Sequence, residues 1–482
     1  MELSKEQQLA FDKYVQGNNI FITGPGGSGK SALIKMIYND ANERNRNIHV
    51  TATTGCAAIL LNCKATTLHS WARIGLGNGT IETLVNKIKK HSQSRSLWRN
   101  THILVVDEVS MLSLKLFNML NTIGKILRQN PAPFGGIQLI FSGDFCQLPP
   151  VGKNEEPETQ QFCFESDEWE NVFSRHCQIQ LVKIFRQTDE TYSTILNQIR
   201  EGKIRRKTND MLINYVDRPL DPTLISEPTK LFPTKNKVEQ INLAKMAALT
   251  SNEVEFKMKY VNNIKISNRH SEFTERDIQF EQEFLANNLI CEQNIKLKIG
   301  AQVMSVINIK TDNGMEVIVC NGSQGIITRF CSYSGAPIVK YNNGLELGMG
   351  YHTWESDKIP GVGVSQIPLI LSWALTIHKS QGITLDAAEI DVGSGIFECG
   401  QTYVALSRVK SLEGLYLSSF DAKKIRINKK AKDYYEQLSL FHSQTQSQNE
   451  LEDSNAFSKY RYTDDSTTQK DEKNEIKIIK LK

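Results

Sequence analysis

Phe21-Ile-Thr-Gly-Pro-Gly-Gly-Ser-Gly-Lys30-Ser31 decides how this chain folds, because it joins an apolar run to an amphipathic one through a glycine-rich loop. From Gly24 to Ser31 it fits G-x-x-x-x-G-K-[ST] without a mismatch. Asn19 to Thr23 reads as a buried strand and Ser31 to Tyr38 as a helix packed beside it. Gly24, Gly26, Gly27 and Gly29, with Pro25 and Ser28 between them, therefore fall where strand turns into helix. Such a loop curls with its N–H groups pointing inward and cradles an anion at the helix N-terminus. Lys30 supplies a point charge for outer phosphates and Ser31 a hydroxyl for Mg²⁺. The predicted fold class is α/β.

Working outward, Leu3 to Phe11 reads as a capped amphipathic helix opening on Ser4 with Glu6 nearby. Ile48 to Ala58 is a second strand that runs into a turn of small residues, where a bulky polymer backbone could approach closely. Thr66 to Trp71 offers hydroxyls, an imidazole and an indole in six residues; for His69 and Trp71, core anchoring and ligand contact stand equal. Residues 74–99 read as a loop and an amphipathic helix striped by Ile81, Leu84, Val85 and Ile88. Ile103 to Val106 is a buried parallel strand ending in Asp107 and Glu108. The first acid can hold Mg²⁺ through water, and the second can take a proton from an attacking water. A core helix is predicted from Leu114 to Leu127. A strand from Gly136 to Ser142 then opens into Gly143 to Pro150, where Gln147 can hydrogen-bond a terminal phosphate or its attacking water. Four strands thus end in polar residues on one edge of a parallel sheet, where open α/β folds bind ligands.

Farther on, Trp169 and Phe173 read as core. A short strand is predicted from Leu181, ending at Arg186, which by itself reads as a surface charge. A helix predicted over 194–206 ends in Lys203, Arg205, Arg206 and Lys207, whose default reading is a solvated face. Leu231 to Asn242 reads as a strand, a polar turn and a helix start. From 299 to about 361, short β runs broken by Gly and Asn predict a small inserted barrel. Long buried elements resume at Ile367, pass through His378 to Thr384, and reach a helix that carries Arg408 near its end. Beyond about His442 the composition turns polar and disorder is expected.

The bulk properties set few limits. The chain has 482 residues and 40% hydrophobic content, enough for several buried cores. It shows no run of 18 apolar residues and no start resembling a signal or transit peptide, so a soluble intracellular protein without a membrane role is expected. Nine cysteines without a C-x-x-C pair fit reduced thiols. A net charge of +4, from 57 basic and 53 acidic residues, neither demands nor excludes a nucleic-acid partner.

Taken in order, these segments closely resemble the superfamily 1 DNA helicases of the petite-integration-frequency (PIF) branch, from Leu3 to about Tyr416. The resemblance rests on Gln7, Gly24 to Ser31, Thr51 to Ala58, Thr66 to Trp71, Asp107-Glu108, Gly143 to Pro150, Phe185-Arg-Gln187, His378 to Thr384 and Tyr403 to Val409. It implies a first RecA-like domain over 1–180 and a second split between 181–298 and 363–440. It further implies an SH3-like barrel at 299–362, a strand-separating wedge within 72–100, and a disordered tail over 441–482. ATP and Mg²⁺ are the implied cofactors, in a cleft between the domains. Gln7, residues 24–31 and Gly382 would bind nucleotide, and Ser31 and Asp107 the metal. Lys30, Glu108 and Gln147 would carry hydrolysis with Arg186 and Arg408 as arginine fingers. Single-stranded DNA would lie on Thr53, Gly55, Thr67, His69, Thr234, His378 and Ser380, with 5′-to-3′ translocation and unwinding of forked DNA by a monomeric core. The implied setting is replication, repair or genome maintenance. A nucleic-acid-stimulated ATPase that remodels protein–DNA complexes without unwinding is the competing reading.

Overall fold

Short apolar runs buried on both faces pair in parallel when helices cover them. In the computed structural model, Ile20–Thr23 (β1), Ile48–Ala52 (β2), Thr66–Thr67 (β3), Ile103–Asp107 (β4), Gln138–Gly143 (β5) and Gln178–Gln180 (β6) form such a sheet. Their order is β3-β2-β4-β5-β1-β6 and every pair is parallel. The structure describes residues 3–444 except 62, 76, 78, 188, 264–272, 311–316, 357, 358 and 360. Residues 433–444 belong to a separate unit and are helical, and the rest of the tail expected to be disordered lies outside the described residues.

Alternation along β1 sends its side chains to two cores. Ile20 and Ile22 join Ala10 and Tyr14 of Lys5–Val15 (α1) and Leu33, Ile34 and Ile37 of Lys30–Glu43 (α2). Phe21 turns the other way, edge-on to Trp169 with ring centres 5.3 Å apart. Phe117, Phe141, Phe145 and Phe173 pack around the same indole at 4.7–6.3 Å. Trp71 is also core: it packs at 4.6 Å on Trp98, whose indole N–H donates to the carbonyl of Ala72 at 3.0 Å. His69 beside it is half-buried.

Several local boundaries differ from the sequence expectations; the helix expected to carry Arg408, for one, ends at Leu406 and leaves the arginine in the turn after it. The strand expected from Leu181 lies three residues earlier, at β6, and Val182 is exposed. Pairing with β1 decides this, since only 178–180 come into register with Phe21 to Thr23. The helix expected over 194–206 is two, Glu190–Arg200 and Arg206–Ile213, broken at Gly202 with φ +64°. The region 74–99 also holds two helices, Ile81–Lys90 and Ser92–Asn100. The long element expected from Ile367 is two short strands, Leu369–Leu371 and Ala374–Thr376. At α1, Gln7 rather than Glu6 closes the capping box on Ser4.

A second parallel sheet holds Ala374–Thr376, Thr229–Phe232, Ala388–Val392 and Leu415–Phe420, in that order. Between its first two chain segments the protein makes a long detour. Glu346–Gly348, Pro337–Tyr341, Gln324–Phe330, Gln302–Ser305 and Leu369–Leu371 form a five-stranded antiparallel sheet there. Val254–Lys257 and Lys259–Asn262, within the span expected for the second parallel domain, pair with Asn294–Leu297 and Val362–Gln366. The eight described cysteines are free thiols. Among the described residues no helix is long and apolar enough to cross a membrane.

Because five rings close on Trp169, Trp169→Ala should destabilise the first sheet by about 3–5 kcal/mol. Equilibrium denaturation of this variant against the unaltered protein measures it; a shift within error would mean the cluster is not a stabilising core.

Candidate functional site

The glycine loop is shaped by what crowds it. Gly27 and Gly29 have φ +84° and +85°, in the left-handed region that side chains disfavour. A Cβ on Gly27 would lie 2.5 Å from the Cβ of Arg186, and one on Gly29 would lie 2.5 Å from the Gln7 amide nitrogen. Helix α2 opens at Lys30 with no side-chain cap on Gly29, so its first N–H groups face the loop. The Ser28 hydroxyl is buried without a partner among the described residues. Lys30 folds its ammonium onto the carbonyls of Gly24 and Pro25, at 2.7 and 3.0 Å. Burial lowers its pKa against the pull of Asp144, Glu108 and Asp107. Helix-terminal donors, an ammonium and an orphan hydroxyl fit a polyphosphate.

Opposite the loop, Asp107 closes β4, and Glu108 takes a left-handed conformation with φ +55°. Burial raises the Asp107 pKa, and burial with the Asp107 charge pushes Glu108 up to about 7. One Gln381 amide reaches both Glu108, at 3.0 Å, and Gln147, at 3.3 Å. Gln381 sits between Ser380 and Gly382, inside a stretch the sequence singles out, and the sequence alone assigns it no role. An amide between two functional positions was the available signal.

Residues after β6 and after the helix Gln401–Leu406 close the cleft. Arg186 is no surface charge: it lies against Gly27 and donates to the carbonyl of Ser407 at 3.2 Å. Arg408 is 2% exposed and donates to the Val404 carbonyl and the Ser407 hydroxyl, at 2.8 and 2.7 Å. Burial and the neighbouring Arg186 lower its pKa to about 9. Its guanidinium stands 3.6 Å from where a Cβ on Gly26 would be. Tyr403, a residue not assigned to the site from sequence, accepts the Gly26 N–H at 2.8 Å through its buried hydroxyl. Gln7, Lys30, Glu108, Gln147, Arg186 and Arg408 thus line one cavity of about 570 Å³, with Ser31 and Gly382 at its wall. Asp107 is buried and is not among the lining residues.

The two sheets are also pinned by a pair that sequence reasoning missed. Arg200, at the end of Glu190–Arg200, donates from two nitrogens to both oxygens of Asp144, at 3.0 and 2.8 Å. Burial would raise the Asp144 pKa, but the guanidinium outweighs it and holds the carboxyl below its ordinary value. Neither partner stands out in sequence, because the contact spans 56 residues and two sheets.

The residues expected along a nucleic-acid strand fall into two groups. Thr53 and Thr67 sit at the ends of β2 and β3, which pair as neighbours. The Thr53 hydroxyl donates to the Glu108 carbonyl at 3.0 Å, and the Thr67 hydroxyl caps Leu68–Ala72. Gly55 begins the helix Gly55–Leu61 beneath Asn288, whose side chain lies 2.1 Å from the position of a Cβ there. Thr234 and His378 are exposed at the second sheet. Ser380 is buried and its hydroxyl donates to Ile377 at 2.8 Å, so its side chain turns inward.

Removing one member of a buried pair strands the other charge, so Arg200→Met should cost about 3–5 kcal/mol. A depressed carboxyl pKa makes this contribution complete above the ordinary unfolded value and lost as pH falls through the folded one. Urea unfolding of this variant at neutral pH, showing no loss, would refute the tether.

A family model described as PIF1-like helicase matches residues 2–210, and one described as the DNA helicase Pif1 2B domain matches residues 280–330. The ATP-dependent DNA helicase PIF1 of Emericella nidulans is 36% identical over 88% of this chain. The chain spans 61% of that relative and 64% of the PIF1 helicase of Danio rerio. The crystal structure of Pif1 helicase from Candida albicans is 34% identical with a TM-score of 0.69, covering 91% of this chain and all of that one. Bacteroides Pif1 bound to ssDNA is 29% identical with a TM-score of 0.59, covering 91% of this chain and 97% of that one. The two parallel sheets are accordingly RecA-like. With a solved Pif1 helicase matched along its entire length by a chain whose phosphate loop faces Arg186 and Arg408 across one cavity, this protein belongs to the PIF1-like helicase family.

Proposed function

We propose that this chain is an ATP-hydrolysing motor that moves 5′ to 3′ on single-stranded DNA and unwinds forked duplexes. The observation that carries the reading is one cavity lined together by Lys30, Glu108, Arg186 and Arg408, the two arginines being read as coming from the second RecA-like half. Lys30 and the loop N–H groups hold phosphates, and Gln7 reads the nucleotide from beside Gly29. Glu108, held by Gln381, takes the proton of the attacking water that Gln147 orients. Arg186 and Arg408 stabilise the transferring phosphoryl charge, a contribution of about 10³ to 10⁵ in rate. Ser31 and Asp107 would hold Mg²⁺, which when bound supplies charge neutralisation at the phosphates.

Hydrolysis reaches the DNA through short connections. The Thr53 hydroxyl sits on the backbone of Glu108, and Gln381 stands in the same turn as His378. Opening and closing of the cleft therefore shifts Thr53, Thr67 and His69 relative to Thr234 and His378. Sequence-independent contacts from hydroxyls and N–H groups suit such stepping. The helices Ile81–Lys90 and Ser92–Asn100, anchored by Trp98 on Trp71, are the proposed strand-separating wedge. The detour between Ala248 and Ala374 is the proposed accessory domain, with its five-stranded sheet as the SH3-like element.

Forked duplexes bearing only a 5′ or only a 3′ tail test activity and polarity together: displacement should require ATP and the 5′ tail. Displacement from the 3′ tail alone would overturn the direction, and robust DNA-stimulated hydrolysis without displacement would favour remodelling. Lys30→Ala should lower ATP turnover by at least about a hundredfold, and Arg408→Ala by about a thousandfold while single-strand binding is largely kept. Normal turnover in Lys30→Ala would sink the scheme.

A further inference from the structure

The basic cluster that reads by default as a solvated face acquires a neighbour in the fold. Lys203, Arg205, Arg206 and Lys207 surround the break between Glu190–Arg200 and Arg206–Ile213, and all four are exposed. Gly202, at that break, backs onto Ile427, whose Cδ1 lies 2.8 Å from the position of a Cβ there. Ile204 and Ile425 pack against one shared core. Ile427 lies in a second basic run, with Lys423, Lys424, Arg426, Lys429, Lys430 and Lys432. Segments more than two hundred residues apart therefore meet as one ridge. Within it Lys430 pairs with Glu165, and Arg206 stands 3.9 Å from Asp210.

The charge balance is lopsided. Residues 201–207 and 421–432 hold ten basic and two acidic side chains, net +8, whereas the whole chain is net +4. Everything outside these nineteen residues is therefore net −4. A concentration of like charge on an otherwise acidic protein repels itself unless an anion covers it.

The ridge connects with the strand track at one end. Arg426 donates to the carbonyl of Phe397 at 3.1 Å and accepts the Gly400 N–H at 3.0 Å. Phe397 is 54% exposed, unusual for a large aromatic ring. Next to it, Glu398 lies near enough to His378 to act on its charge. An exposed ring followed by a row of cations is the pattern on which single strands stack and neutralise their backbone.

We propose that the single-strand track continues beyond His378, past Phe397 and onto this ridge, which binds the backbone of a further stretch of single-stranded nucleic acid. The inference rests on the nucleic-acid reading above and adds the ridge to it. Bases stack on Phe397 while the lysines and arginines of both runs neutralise phosphates, so affinity grows with strand length beyond the domain-spanning track.

Two triple variants test it, Arg205→Ala/Arg206→Ala/Lys207→Ala and Lys423→Ala/Lys424→Ala/Lys429→Ala, with fluorescence anisotropy of oligothymidylates across a salt series. On a strand of about eight nucleotides both should bind as the unaltered protein does. On a strand of about 25 nucleotides each should bind at least about tenfold more weakly, with a salt slope smaller by about 2 for three lost phosphate contacts. Unchanged affinity of either variant for the long strand, or equal loss on both lengths, overturns the ridge alone. Failure of the unaltered protein to bind either strand overturns the underlying nucleic-acid reading and the ridge with it.

Discussion

A carboxylate and a guanidinium buried together between two sheets set the terms for this molecule. Asp144 follows β5 of the first sheet, and Arg200 ends the helix Glu190–Arg200, whose apolar face shares a core with the second sheet. They meet through two hydrogen bonds away from water, at 2.8 and 3.0 Å. Either charge alone would pay several kcal/mol of desolvation, so each half carries a group that is costly to bury without the other. The contact lies a few residues from Gln147 in the chain, which ties the cleft's geometry to the meeting of the halves.

The groups around that cavity are joined in a way that separate motifs would not convey. Gln381 links Glu108 to Gln147 from a turn that also presents His378. Thr53 is bonded to the Glu108 backbone from the end of β2. Tyr403 holds the Gly26 N–H from the helix that leads to Arg408. Each link is short, and each joins the glycine loop or the acids of β4 to a residue from a distant part of the chain or from a neighbouring strand end. Polar groups this well buried make discrete alternatives favourable over gradual deformation, since a half-made hydrogen bond in a dry site is costly.

Much of this architecture was legible in the chain. The strand, glycine loop and helix from Asn19 to Tyr38 follow from apolar periodicity and from glycine's tolerance of positive φ, both local properties. The acids closing β4, Trp169 and Phe173 in the core, and the antiparallel texture after residue 299 were readable for the same reason. What failed were features set by pairing. The strand expected at Leu181 moved to Gln178–Gln180 because β1 offers register only there. Arg186, a surface charge when read alone, is drawn under Gly27 by the other half of the protein.

Sequence by itself determined the chemistry of each element: which loop could cradle phosphate and which strand would end in carboxylates. Those properties reside in side chains and in backbone preferences a few residues long. Tertiary structure alone decided which of these groups face one another. It brought Arg200 to Asp144, Tyr403 to Gly26, Gln381 to Glu108, and one basic run beside another more than two hundred residues away. Contacts at such separation leave no local periodicity, because their free energy is realised only when distant segments bury each other's polar groups.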